Sequence, residues 1–217
     1  MNKQNILNEA ARFVKQMLGN DASGHDWRHI ERVARTAHML ARKEGADEFI
    51  CQLAALLHDV ADEKLRSSEE EGLAEVSAWL CAHGVEESVR EHVVQIIATM
   101  SYKGGHNKPV TTVEAQVVQD ADRLDAIGAI GVARTFAYAG AKGHLMYDPD
   151  SPFRQHMSHE EYRSGRSTAV NHFYEKLLKL RDLMNTETGR RIANRRHRFM
   201  ERFLDQFYLE WDGRDMD

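Results

Sequence analysis

Proline is scarce in this sequence. Of 217 residues only three are proline, Pro109, Pro149 and Pro152, and all three stand in Gly- or Asp-rich stretches that read as loops. The long intervals between them lack the one residue that breaks a helix by withholding an amide hydrogen. Cysteine is scarcer still. Cys51 and Cys81 are each set in apolar helical sequence with no CxxC partner, which argues against a disulfide framework and a zinc ribbon and fits a reducing cytosol. No apolar run approaches a membrane span, so no membrane partner is expected. The opening MNKQNILNEAARF has neither a long apolar core nor a small-residue cleavage site, so no signal peptide is expected and the location expected is cytoplasmic. Basic charge is not in excess. The formal net charge of −5 gives no general attraction to nucleic acid. Any polyanion must be gripped locally.

What the chain does have is helical spacing of its apolar residues. Ile30, Val33, Ala34, Ala37 and Ala41 form one stripe, and Ile50, Leu53, Ala54 and Leu57 another, with Asp47 as its N-cap. A capping-box pattern from Ser68 to Glu71 opens a helix carrying Leu73, Val76 and Leu80, which Gly84 can close. The stripe Val89, Val93, Ile96, Ile97 and Met100 follows. A second box, Thr111 to Glu114, opens a helix expected to run through Val117, Val118 and Ala121 towards Phe136. Two late amphipathic helices carry Val170, Phe173, Leu177 and Leu180, then Ile192, Phe199, Phe203 and Phe207. Sustained alternation is absent, so no strand is predicted. The length suits one large core, and the expectation is an all-α single domain over residues 1–217. Two connections stand out, 101–110 and roughly 140–166, either of which can serve as a lid or substrate loop.

The stripes carry four titratable residues inward. His29 sits one residue before Ile30 and one helical repeat from Val33 and Ala37. His58 continues the Leu53, Ala54, Leu57 stripe at the C-terminal end of its helix, and Asp59 follows it. Asp122 lies on the line of Ala115, Val118 and Ala126, whereas Asp120 and Arg123 turn off that line. A buried carboxylate without a partner is costly, and a divalent cation offsets that cost directly. Two imidazoles with two carboxylates suit Mn, Fe, Co, Ni or Zn, and without a thiolate they do not make a closed structural zinc site. Four protein ligands on an ion that accepts six leave room for water and a substrate oxygen.

At these residues a resemblance becomes specific. HDWRHIERV, then ALLHDVADEK, then QDADRLDAIGAIGVAR resemble the HD-domain phosphohydrolase superfamily, whose signature is H…HD…D, and the wording around each ligand is similar to its small bacterial YedJ/YpgQ-like subfamily. The later stretch NHFYEKLLKL fits too, so the resemblance runs from about Gly24 to Phe207, with the core signature at about 24–136 and C-terminal helices at about 160–211. It implies an all-helical HD-domain fold and one divalent metal, manganese foremost, with Mg, Co, Ni, Fe or Zn as alternatives. The first His matches His29, the pair matches His58-Asp59, and the last Asp matches Asp122 in the Ala121-Asp122 step, ahead of Asp120. His25-Asp26 is an HD dipeptide too, and reads as a decoy.

The resemblance also implies a catalytic acid three residues after the paired Asp. That position is Asp62, followed by Glu63, where several relatives carry Glu then Asp, so both acids remain candidates for orienting the attacking water or moving its proton. Lys64, Lys103 beside Gly104-Gly105, and Arg123 are candidate phosphate contacts. His92 lies on or beside a buried stripe, where a second metal is conceivable, but an acid at position 62 resembles the single-metal arrangement better. The Arg-rich segment Arg190, Arg191, Arg195, Arg196 and Arg198 is expected to form intramolecular ion pairs, with Ile192 and Phe199 facing the core, rather than to bind nucleic acid. The expected activity is hydrolysis of a small phosphorylated substrate, a nucleotide, with nucleoside triphosphate split to monophosphate and pyrophosphate favoured by the resemblance. Competing readings are a nucleoside monophosphate phosphatase with the same metal and a non-catalytic nucleotide sensor. The sequence leaves room for a homodimer without requiring one.

Overall fold

Capping chemistry sets where the first helices begin. In the computed structural model, which describes residues 2–18, 26–61, 68–100, 109–154 and 167–215, α2 (Trp27–Glu44) starts where Asp26 accepts the His29 amide at 2.8 Å. The Asp of the decoy dipeptide is thus a helix cap. Asp47 likewise caps α3 (Glu48–Leu57), accepting from the amides of Phe49 and Ile50 at 2.8 and 3.0 Å. Before these lies α1 (Lys3–Leu18). After α3 a 3-10 turn, His58–Ala61, carries the HD pair. Then come α4 (Glu69–Ala82), α5 (Glu87–Met100) and α6 (Val113–Asp125). Ser68 accepts the Glu71 amide at 3.2 Å, and the left-handed Gly84 (φ 71°) follows α4, as its sequence implied. Among the described residues there is no strand, and the fold is all-α.

The chain divides into two compact units, Met1–Asp122 and Arg123–Asp217. In the first, α3 is the central element. Seven of its ten residues are buried, and it packs against α1, α2 and α5 while the 3-10 turn packs against α4. α6 begins one residue later than its capping box implied: Thr112, not Thr111, accepts the Ala115 amide at 3.2 Å. Glu114 is drawn elsewhere, accepting the Asp47 amide at 3.0 Å, and so ties the start of α6 to the start of α3.

The second unit corrects two expectations. The helix predicted to run on towards Phe136 stops at Asp125, and α7 (Gly128–Ala141) starts anew. Gly128 has φ 78°, and a Cβ there would stand 2.9 Å from Cγ of Arg196, whose guanidinium donates to the Leu124 carbonyl. The late helices are α8 (Ala169–Glu175), a 3-10 segment (Leu177–Leu183) that holds Leu177 and Leu180, and α9 (Glu187–Trp211). The buried stripe of α9 is Ala193, His197, Met200 and Leu204. Phe199 is exposed, because the stripe that packs is one residue out of phase with it. Arg154 and Ser167, which flank residues 155–166, both converge on the buried Glu175 carboxylate, at 2.9 and 3.0 Å for the Arg154 side chain and 2.9 Å for Ser167. Burial alone would raise the Glu175 pKa, but these bonds hold it below the usual carboxylate value.

Gly72 lets α4 close on the HD turn: a Cβ added there would meet Cα of Ala61 at 2.5 Å. Backbone cannot yield as a flexible side chain does. We expect Gly72→Ala to cost about 1–3 kcal/mol in thermal or urea unfolding through overpacking, with metal affinity falling alongside. An alanine variant as stable as the wild type would contradict this packing.

Candidate metal centre

Two helices and a turn bring four candidate ligands of two types together. α2 presents His29, whose side chain is 2% exposed. The end of α3 tightens into the 3-10 turn at His58, and that tightening sets His58 and Asp59 side by side, 6% and 7% exposed. Nε2 of His58 lies 3.1 Å from Oδ1 of Asp59, and Nε2 of His29 lies 3.7 Å from Oδ2 of the same carboxylate. From α6, Oδ1 of Asp122 stands 3.5 Å from Nε2 of His29 and 4.0 Å from Nε2 of His58. The two rings meet edge to face at 5.4 Å between centroids.

These spacings fit one shared cation. Donors about 2.1 Å from an ion stand roughly 3 Å apart at a right angle and roughly 4.2 Å apart when opposite. The four contacts above, 3.1 to 4.0 Å, fall inside that window. Ligand atoms of His29, His58 and Asp59 all lie within 4.8 Å of one another, close enough to form a metal site. Asp122 differs in kind. Its side chain is 36% exposed, against 2–7% for the other three.

The second ring nitrogen of His58 fixes its role. Nδ1 lies 2.8 Å from the Ala55 carbonyl, which only accepts, so Nδ1 carries the hydrogen and Nε2 is left to face the carboxylates. Burial on its own would lower the His58 pKa. The charge and hydrogen bond of Asp59, the charge of Asp122 and the Ala55 carbonyl outweigh it and hold the pKa at about 9. Without metal, the imidazolium supplies the positive charge that these carboxylates require.

The remaining candidates fall differently. Asp62, Glu63, Lys64 and Lys103 lie outside the described residues. Arg123 donates from Nη1 to the Leu183 carbonyl. Asp120 does not turn away from the interior as the helical line implied: it is fully buried. Exposure therefore separates the two aspartates in the direction opposite to the helical line, with Asp122 the more open. Proximity to the imidazoles favours Asp122. His83 bonds the Trp79 carbonyl at 2.7 Å and His92 the Thr112 hydroxyl at 3.1 Å. Among the described residues no second cluster of three metal-binding side chains occurs. Two contributors had no signal of their own in the sequence, the Ala55 carbonyl and Gly72. The first could have been found from the i−3 position before a helix-terminal His.

Comparison with known proteins gives the family. The model of the HD domain family matches residues 26–127. YpgQ of Bacillus subtilis (strain 168) is 41% identical over 207 residues, covering 94% of this chain and 93% of that protein. The crystal structure of an HD-superfamily hydrolase from Bacillus thuringiensis aligns at 51% identity and a TM-score of 0.78, over 97% of this chain and 99% of that one. That of Bacillus subtilis YpgQ in complex with ADP aligns at 40% identity and a TM-score of 0.75, over 97% and 100%.

A metal that enters this site must displace the His58 proton. Because that proton is held up to a pKa of about 9, metal affinity should rise with pH below that value, by about tenfold per unit, and level off above it. Calorimetric titration with manganese in buffers of different ionisation enthalpy measures the released proton. Binding without proton release near neutral pH would refute the assignment.

Proposed function

The chain belongs to the HD domain family and is a metal-dependent phosphohydrolase, and from that premise we propose that it hydrolyses a nucleoside triphosphate to the monophosphate and pyrophosphate with one manganese ion. The observation that carries the reading is the convergence of His29, His58, Asp59 and Asp122 at ligand spacing, with Asp122 on the open side. A bound divalent ion would supply Lewis acidity there, acidifying a water and polarising a phosphoryl oxygen.

In this reading His58 is held in its ligating tautomer by the Ala55 carbonyl. Asp59, nearly enclosed, contributes charge and excludes water from the inner side. Asp122 leaves the phosphoryl group its way in. Asp62 or Glu63, three and four residues beyond Asp59, positions the attacking water and receives its proton. Lys64 and Lys103 neutralise phosphate charge. Arg123 is the weaker contact of this kind, since one of its nitrogens already serves Leu183. Support for a nucleotide substrate comes from the similar YpgQ, whose crystal structure holds ADP. No helix among the described residues is long and apolar enough to cross a membrane. Both cysteines are free, and we place the enzyme in the cytoplasm.

The test is incubation of the protein with dATP, dGTP, dAMP and a generic phosphodiester, with manganese, magnesium or EDTA, and separation of products by ion exchange. Pyrophosphate should appear with manganese and fall to the EDTA background in His58→Ala and Asp122→Ala. A fully active Asp122→Ala protein would overturn the site. Release of phosphate from monophosphates alone would replace the triphosphate reading with a nucleotidase. Metal binding without any turnover would leave a nucleotide sensor.

A further inference from the structure

Four arginines of α9, Arg191, Arg195, Arg198 and Arg202, follow one another at intervals of four, three and four residues, the spacing that aligns side chains along one helix face. The buried stripe of the same helix, Ala193, His197, Met200 and Leu204, has the same intervals displaced by two residues, about 200° around the axis. The arginines therefore point away from the core, and all four are exposed. Intramolecular pairing was the expectation for this segment, and it is not what these four do. Among the described residues none of them has an ion pair or a hydrogen bond. Arg190 and Arg196 are the ones with partners, on the carbonyls of Met184 and Asn185 and of Leu124. Glu201, the acid placed to meet Arg198, faces Nε2 of His197 at 3.2 Å instead.

Like charges at these intervals repel one another on a helix. A solvated helix face ordinarily mixes both signs. This stripe is also concave on one flank: Arg195, Arg198 and Arg202 line a cavity of about 790 Å³, within the roughly 300–1,000 Å³ of small-molecule sites. Tyr174 and Leu178 form its apolar wall. The Tyr174 ring is held by stacking on Phe153 at 4.9 Å between centroids. Glu201 and Asp205 also line it.

We propose that this cavity binds a small molecule carrying two or more linked phosphates, a nucleoside di- or triphosphate or pyrophosphate itself. Arg195, Arg198 and Arg202 take the phosphates in forked hydrogen bonds, and Tyr174 with Leu178 offers a face to an attached ring. A nucleic-acid strand fits less well. Arg195 to Arg202 spans only about 10 Å of helix, and Glu201 and Asp205 would repel a backbone running further. The phosphates have two sources to choose between, the nucleotide being hydrolysed or a separate polyphosphate. The proposal goes beyond the proposed reaction, and its first readout does not depend on turnover.

The experiment is calorimetric titration of the full chain with inorganic pyrophosphate in EDTA, comparing wild type with Arg195→Gln/Arg198→Gln. Both positions are exposed, and an unchanged thermal midpoint verifies folding. The wild type should bind saturably at one site, weakened by salt, and the double variant roughly tenfold or more weakly. Absence of saturable binding in the wild type, or equal affinity in the variant, would overturn the proposal. A second arm measures KM for dATP with manganese. A KM raised together with the lost pyrophosphate binding identifies the phosphates as the substrate's. An unchanged KM with that binding lost identifies a separate polyphosphate.

Discussion

The buried Asp59 carboxylate is the constraint on which the site depends. It is 7% exposed and stands between two imidazoles that are as deeply enclosed. An anion in such a place needs positive charge at close range. The metal-free protein answers with a proton on His58, held to a pKa of about 9. A divalent ion would answer more fully, since in the proposed site it would be held by Asp59 and Asp122 together with both imidazoles. The same electrostatic demand thus makes the apo protein tolerable and the metal site selective for a cation.

Much of the fold serves to hold that arrangement still. The proposed ligands on α2, on the turn after α3 and on α6 come from distant parts of the sequence, and each is fixed by an ordinary local device. The Asp26 cap, three residues before His29, sets the start of α2. The Ala55 carbonyl orients His58. Glu114 ties the first turn of α6 to the Asp47 amide at the start of α3. The missing side chain of Gly72 lets α4 lie against Ala61. None of these touches substrate. Their effect is preorganisation, since a ligand displaced by a fraction of an ångström no longer shares one ion with the others.

How far the sequence could be read depended on whether a feature was local. Asp47 and Ser68 were legible as caps because capping involves amides two or three residues away. The start of α6 was misjudged by one residue. Thr111 and Thr112 can both cap, and the choice is made by Glu114 reaching to a different helix. The break between α6 and α7 was invisible in LDAIGAIG, for it contains no proline, and the left-handed Gly128 is packed against Arg196, 68 residues further on. Asp120 was misplaced because the helical-stripe argument assumes one buried face. On α6, Val117, Val118, Ala121 and Leu124 are all buried, so the helix is enclosed on more than one side. His29, His58, Asp59 and Asp122 were picked out on residue type, order and helical phase together; the phase held for the enclosed His29 and His58 but not for Asp122, which is over a third exposed.

The divided character of the site follows from what helices can and cannot do. A helix holds a side chain in place through packing on its neighbours, which suits ligands that must not move. It is poorly suited to wrapping a charged, extended substrate, whose phosphates need donors from several directions. The residues assigned to those tasks by resemblance, Asp62, Glu63, Lys64 and Lys103, lie outside the described residues, the first three after the HD turn in sequence and Lys103 after α5. Of the four proposed ligands, Asp122 is the one that belongs to both regimes. It is carried on a helix and close to both imidazoles, yet over a third exposed. An ion held by His29, His58 and Asp59 alone would be enclosed on its inner side with nothing to direct a substrate to it. In the proposed reading the partly open Asp122 carboxylate would give the ion a fourth protein ligand on the side where phosphate arrives, and so turn a buried charge requirement into a place where chemistry can occur.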